Sequence, residues 1–341
     1  MTDFDIAVVG GGPVGLVAAI TARLAGASVV VIEQRSGPID KACGEGLMPG
    51  ALPMLERLGV DPPGLPLTGI TYVQGRHRVT HRFAGSPGRG VRRVELHSAL
   101  LARARELGVE WIATKVDRLA HDDTGVAVAG VTAGHLLACD GLHSTIARSV
   151  GLAMPAPARR RRYGIRQHFA VAPWTDTVEI HYGRRAEVYV TPVATDLVGV
   201  AILGPSHTDF DAVVADLPGL AARLAGASAV TERRGAGPFR QRTRARTVGR
   251  VLLVGDASGY VDAITGEGLR VGFAQADAAV AAALADTPAR YEREWTRLTR
   301  DFRMTTSALV GFATSPLRPA IVPLSELLPG RFGAVVESLA R

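Results

Sequence analysis

The chain has 341 residues, 47% hydrophobic and 21% charged, with a formal net charge of +7 carried almost wholly by arginine, since its two lysines are Lys41 and Lys115. Such a composition is globular and excludes a disordered, low-complexity or collagen-like chain. No uncharged apolar run reaches the ~18 residues of a membrane span, and no basic-then-apolar leader precedes the first strand, so a cytoplasmic protein is expected.

In chain order, Ile6 to Val9 reads as a buried strand, and Gly10-x-Gly12-x-x-Gly15 follows at once. Val14 to Leu24 turns to an Ala-rich helical pattern that Gly26 ends, and Val29 to Ile32 is a second buried strand closed by Glu33. Strand, glycines, helix, strand and acid in that order predict a dinucleotide. Gly10 allows the tight turn, Gly12 lets backbone approach a pyrophosphate, and Gly15 lets helix pack on strand. The free N–H groups at the helix start, beyond Pro13, face phosphate. Glu33 is placed to accept from a ribose hydroxyl, and Gln34 and Arg35 are assigned to the same end of the cofactor.

A Gly/Pro-rich loop, "SGPIDKACGEGLMPGALPML", feeds a helix ending near Gly59. Residues 68–83 alternate as exposed strands of an antiparallel sheet. Val94 to Leu107 is helical, with Gly108 as its cap, and strands follow at about 109–118 and 125–138. The run Arg159 to Arg162 reads as a solvated loop, and the other arginines are scattered, so no nucleic-acid partner is expected. Tyr163 to Leu203 is antiparallel sheet, 211–226 helical, and Val251 to Val254 a buried strand before a Gly-rich loop and a long Ala-rich helix. The tail from Tyr291 is helical, broken by prolines at 316, 319, 323 and 329. Two cysteines, Cys43 and Cys139, fit reduced thiols, and no Cys/His cluster has ligand spacing, so no metal is expected.

The fold class expected is α/β: a Rossmann-type domain from 1–67, 92–158 and 246–290, an interleaved antiparallel β domain from 68–91 and 159–245, and a C-terminal helical segment, 291–341. Two later motifs sharpen this. "CDGLHSTIAR" (Cys139 to Arg148) and "GDASGYVDAITGEG" (Gly255 to Gly268) follow the first motif in order and approximate spacing, and together the three resemble the FAD-dependent group A monooxygenases and their relatives the geranylgeranyl reductases. The resemblance implies FAD. It implies that Asp140 and Gly141 sit beside the nucleotide, braced by Arg148, and that Asp256, after Gly255, accepts from the ribityl hydroxyls. It also places Gly266, Glu267 and Gly268 at a helix start facing the flavin, and Arg93 near the cofactor.

"KACGEGLMPGAL" resembles the reductase branch, where a Cys-Gly pair lies beside the flavin, so Cys43 is a candidate proton donor or pocket wall, with Glu45 beside it. The strand Val188 to Pro192 lacks that branch's aromatic pattern, and Ala263 stands where the family commonly has Pro. No halogenase Trp-x-Trp-x-Ile signature is present. No second GxGxxG is found, so NADPH or NADH visits transiently or an external reductase supplies electrons. Glu179, His181, Glu187, Tyr189 and Thr191 are read as sharing like faces of adjacent strands, the glutamates toward solvent and His181 and Tyr189 as catalytic candidates; Arg166 and His168 raise the same question. The resemblance implies a monooxygenase hydroxylating or epoxidising a lipophilic or aromatic small molecule through a flavin C4a-hydroperoxide. A C=C reductase and a non-redox protein using FAD as scaffold stay open, as does peripheral membrane contact by the tail.

Overall fold

The computed structural model describes residues 2–155 and 161–340. A mostly parallel sheet has Phe4–Val9 near its centre, flanked on one side by Val131–Ala138 and Val251–Leu253 and on the other by Val29–Ile32 and Glu110–Ile112. Residues 6–9 of the first strand and all of Val29–Ile32 are unbroken apolar runs because helices cover the sheet. The helices Pro13–Leu24, Arg93–Glu106 and Gly268–Leu284 pack on one face around Leu16, Leu100 and Phe273. Alanine and glycine let them approach closely: a Cβ on Gly272 would stand 2.6 Å from Val14 Cγ2.

The second large sheet runs His77–Arg82, Gly69–Gln74, Val178–Tyr182, Glu187–Ala194, Leu197–Gly204 and Tyr163–Ala170. It is antiparallel except where Gly69–Gln74 runs parallel to Val178–Tyr182. Gly69–Gln74 is therefore largely buried rather than exposed as its alternation suggests, and His77–Arg82 takes the edge. One face packs on two short helices through Val188, Val190, Val200 and Phe210. The other face looks toward the parallel sheet's loops and the C-terminal helices.

Local differences from the sequence pattern have local causes. Residues 125–138 form a hairpin, Val126–Val128 and Val131–Ala138, because Ala129 and Gly130 both take positive φ (50° and 83°) and turn the chain. The helix expected over 211–226 is two, Phe210–Ala215 and Pro218–Leu224, since Pro218 has no N–H to carry the first helix onward. The tail helix runs unbroken over Pro288–Ala313, and Pro323 and Pro329 sit in the first turns of Ile321–Leu327 and Pro329–Ala340, where proline is tolerated. Of the arginine run, Arg159 and Arg160 lie outside the described residues, and Arg162 is buried at 5% exposure rather than solvated.

Candidate functional site

A cavity of about 480 Å³ lies between the parallel sheet's carboxyl ends and the second sheet. All three motifs line its first half. Gly10 has φ 103°, and a Cβ there would stand 2.5 Å from Cys139 O; one on Gly15 would stand 1.9 Å from Gly10 O. Both glycines are thus required by backbone approach. A Cβ on Gly12, by contrast, would meet nothing within 4 Å, which leaves the cavity open to a group lying against that backbone. The helix Pro13–Leu24 starts there with no side-chain cap, so its first N–H groups remain available to an anion.

Glu33 Oε2 accepts from Gly11 N–H at 3.0 Å, and Oε1 accepts from Arg35 N and Nε at 3.0 and 2.8 Å. Burial works against its ionisation, yet these donors hold the carboxyl below the usual range. His97 was not singled out by its sequence. It is fully buried and its Nε2–H donates 2.8 Å to Gly11 O; burial lowers its pKa, so it steadies the glycine turn as a neutral ring. A polar residue among Leu96, Leu100 and Leu101 on an otherwise apolar helix face was the available signal.

Asp140 Oδ2 accepts from the N–H groups of Thr145 (2.7 Å) and Ile146 (3.1 Å), while Oδ1 is buried without a partner. Arg148 is exposed and makes no hydrogen bond or ion pair among the described residues, so the expectation that it braces this loop is corrected: Asp140, and Ser144 capping Ala147 N at 2.8 Å, do so. Burial pushes the Cys139 thiol up, which makes it an inert packing group. Arg93 lines the cavity with its Nε buried and unpartnered. The Asp256 carboxylate lines it and makes no hydrogen bond among the described residues. Gln34, Arg35, Gly141, Gly255, Gly266 and Gly268 also line it, as does Lys41. Glu267 does not: it is buried and paired with Arg270, bracing the helix start from behind.

These groups fit FAD. Open backbone at Gly12 and an uncapped helix start suit a pyrophosphate, and the free acceptors of Asp140 and Asp256 suit polyol hydroxyls.

The second half is apolar, lined by Met48, Ile70, Val178, Ile180, Leu203 and Phe239. Tyr189 lines it, but its hydroxyl donates 2.9 Å to Ile264 O, and burial raises its pKa. The strand register corrects the shared face read from alternation. Ile180 pairs with Tyr189 and Glu179 with Val190, so Tyr189, Glu187 and Thr191 share the cavity face with Val178 and Ile180. His181 lies on the opposite face, hydrogen-bonded to Glu179 at 3.2 Å, and does not reach the cavity.

The glutamates are not solvated either. Glu179 is 2% exposed and pairs with Arg78; Glu187 is 0% exposed and held between Arg162 and Arg318. Asp262 completes that buried cluster at 3.2 Å from Arg162. Alternation tells which residues share a strand face, but not the offset between strands, and a one-residue offset reverses the faces.

Cys43 lines the cavity, its Sγ accepting from Glu45 N at 3.3 Å. Glu45 adopts φ 59° and is 4% exposed; its Oε1 accepts from Arg93 N at 2.8 Å and its Oε2 from His168 Nε2 at 2.6 Å.

Residues 3–287 match the profile of a family described as "FAD binding domain". The chain belongs to that family. Among its relatives, the menaquinone reductase of Mycolicibacterium smegmatis is 34% identical over 166 residues, covering 44% of this chain and 40% of that one. The 12-dehydrotetracycline 5-monooxygenase/anhydrotetracycline 6-monooxygenase of Streptomyces rimosus is 27% identical over 325 residues, 80% of this chain and 61% of that one. A digeranylgeranylglycerophospholipid reductase of Methanothermobacter thermautotrophicus is 26% identical over 337 residues, 88% of this chain and 83% of that one. The matches to the first two thus span under two thirds of those proteins. A flavoprotein/dehydrogenase structure from Cytophaga hutchinsonii superposes with a TM-score of 0.78 at 16% identity, covering 99% of this chain and 98% of that one, which shows a shared fold. The cofactor of this chain is therefore FAD.

Proposed function

We propose that the chain is an FAD-dependent oxidoreductase, a monooxygenase acting on an apolar or aromatic small molecule held against the second sheet. The observation that carries this reading is the continuity of one cavity from the FAD cradle into an apolar chamber whose sheet-borne polar side chains are mostly paired with protein partners. Bound FAD supplies the electron transfer and oxygen chemistry. The protein's own contribution is to bind and exclude water: Gly12 and the helix start hold pyrophosphate, Asp256 and Asp140 accept from hydroxyls, and the apolar walls orient the substrate. NADPH, NADH or an external reductase would supply the electrons. The tail helices expose Met304 (66%), Phe312 (52%) and Leu327 (74%), which supports contact with a lipid surface. No helix among the described residues is long and apolar enough to cross a membrane.

Reduction of a C=C bond is the second reading. It is favoured by Cys43, a thiol that lines the cavity, and by the reductase relative that aligns along most of this chain. The two separate cleanly. Holoprotein with NADPH under oxygen-18 gas should place one labelled oxygen atom in a naphthol or polyphenol product. Holoprotein with dithionite under nitrogen, given a polyprenyl alkene, should add two hydrogens if the second reading holds. Neither product, with FAD bound, removes both.

A further inference from the structure

The large apolar side chains left exposed are unevenly spread. Leu24, Met154, Val230 and Leu284 come from four separate segments, whereas Met304, Phe312, Leu317, Leu324, Leu327 and Leu328 all belong to the tail. A single exposed leucine is ordinary; a run of them in one short stretch of chain marks a surface that meets something. Phe312 is in the last turn of Pro288–Ala313, Leu317 is in the connection after it, and Leu324 and Leu327 share the outer side of Ile321–Leu327 while Val322 faces inward, fully buried. The inner sides of these helices already pack on the second sheet through Ala313, Val322 and Phe332. The outer leucines are thus a second apolar face on helices that have buried their first.

Charge tells what that face meets. From Met304 to Val335 the charged residues are Arg318, Glu326 and Arg331. Arg318 is buried against Glu187, and Glu326 accepts 2.7 Å from His77 Nδ1. Arg331 is exposed, and its side chain makes no hydrogen bond or ion pair among the described residues. It stands just past the leucines, its own N–H donating 3.0 Å to Leu328 O. On the other flank, Ile321–Leu327 packs on the strand His77–Arg82, and the hairpin turn before that strand carries Arg76, also exposed and without an ion pair among the described residues. The apolar tip therefore has unpaired cations on two flanks, and its one acid is already paired.

A second copy of the chain is a poor cover for such a tip. A two-fold pair would set the same arginines of both copies side by side, on chains that each carry a net charge of +7. An anionic bilayer leaflet complements it on both counts, since its acyl boundary takes apolar side chains and its phosphates take guanidinium groups. Resting on the lipid contact read from the tail above, and independently of the chemistry in the chamber, we infer that this tip docks the protein in the plane of an anionic leaflet. Phe312, Leu317, Leu324, Leu327 and Leu328 enter the acyl boundary, and Arg76 and Arg331 stay with the headgroups.

The test sediments the FAD-loaded full chain with vesicles of phosphatidylcholine alone or mixed with phosphatidylglycerol, and the bound fraction is read from flavin absorbance. The anionic vesicles should bind about tenfold or more tighter than the neutral ones, and should release the protein as salt is raised. Phe312→Ser and Leu327→Ser should each weaken that binding about tenfold or more. The double variant Arg76→Gln, Arg331→Gln should bring it close to the value for neutral vesicles. FAD should stay bound in every variant.

Hydrogen exchange on the wild-type protein reads the same contact without a variant: amides between Phe312 and Arg331 should gain protection when anionic vesicles are added, and those of the two sheets should not. Equal binding to both kinds of vesicle, unchanged binding by Phe312→Ser and Leu327→Ser, no gain of protection in that stretch, or a dimer in light scattering that Leu327→Ser splits would each overturn the inference. Binding to neither kind of vesicle by FAD-loaded protein would remove the lipid contact beneath it as well. The oxygen-18 experiment decides the chemistry of the chamber separately.

Discussion

Replacing Asp262 by asparagine isolates one titration inside the buried cluster. Asp262 is 3% exposed, and burial, opposed by Arg162 and reinforced by Glu187, pushes its carboxyl from 3.8 up to about 6. Because the folded chain holds this proton more tightly than the unfolded one, the stabilisation is complete below the unfolded value. It is lost as pH rises through the folded value. The interval is worth about 3 kcal/mol. Asparagine keeps the Oδ1 acceptor that serves Ile264 N at 3.0 Å and Arg162 at 3.2 Å, but does not titrate. Urea unfolding at saturating FAD, followed by tryptophan fluorescence from pH ~4 to ~8, should therefore show the wild type losing up to about 3 kcal/mol relative to Asp262→Asn, with the change centred near pH ~5 and complete by pH ~7. A constant difference between the two proteins across that range would refute the assignment.

Arg318→Met leaves the fully buried Glu187 with Arg162 as its remaining arginine; destabilisation of about 3–5 kcal/mol and faster protease cleavage of the tail helices are expected, read by urea midpoints and limited proteolysis. Gly15→Ala drives a Cβ to 1.9 Å from Gly10 O, and loss of tight FAD retention should be seen on gel filtration, with at least about 1–3 kcal/mol of stability lost. Glu33→Ala removes the acceptor of Gly11 N–H and should weaken FAD binding by about tenfold in a fluorescence titration. Tyr189→Phe frees Ile264 O and should cost about 1 kcal/mol of stability while leaving the pH profile of turnover in place; a shifted profile would return the hydroxyl to the chemistry.

The cofactor half was legible because its requirements are local. Gly10, Gly12 and Gly15 answer to backbone clashes within one turn, and Glu33 lies one strand away. The substrate half was not, because its facts depend on strand offset and on contacts distant in sequence. His181 and Tyr189 both sit on alternating strands, yet the pairing of Ile180 with Tyr189 places one in the cavity and the other behind it. Arg162 looked like part of a charged surface run until Glu187, Asp262 and Arg318 were brought to it from far along the chain. Arg148 failed for a related reason. Its motif fixes its place in the chain, but Asp140 already satisfies the loop's N–H groups, leaving the guanidinium nothing there to brace.

The strand order of the parallel sheet has a consequence for how the protein is made. Val131–Ala138 lies between the first strand and Val251–Leu253, and the Gly268–Leu284 helix closes the glycine turn from behind, packing against the first helix. A chain emerging from the ribosome can therefore form its first glycine turn early, yet it lacks a complete flavin cradle until the Gly268–Leu284 helix has been synthesised. Cofactor capture then waits on that helix, and nascent fragments ending before Gly268 should appear in the cell as colourless species open to proteases and chaperones.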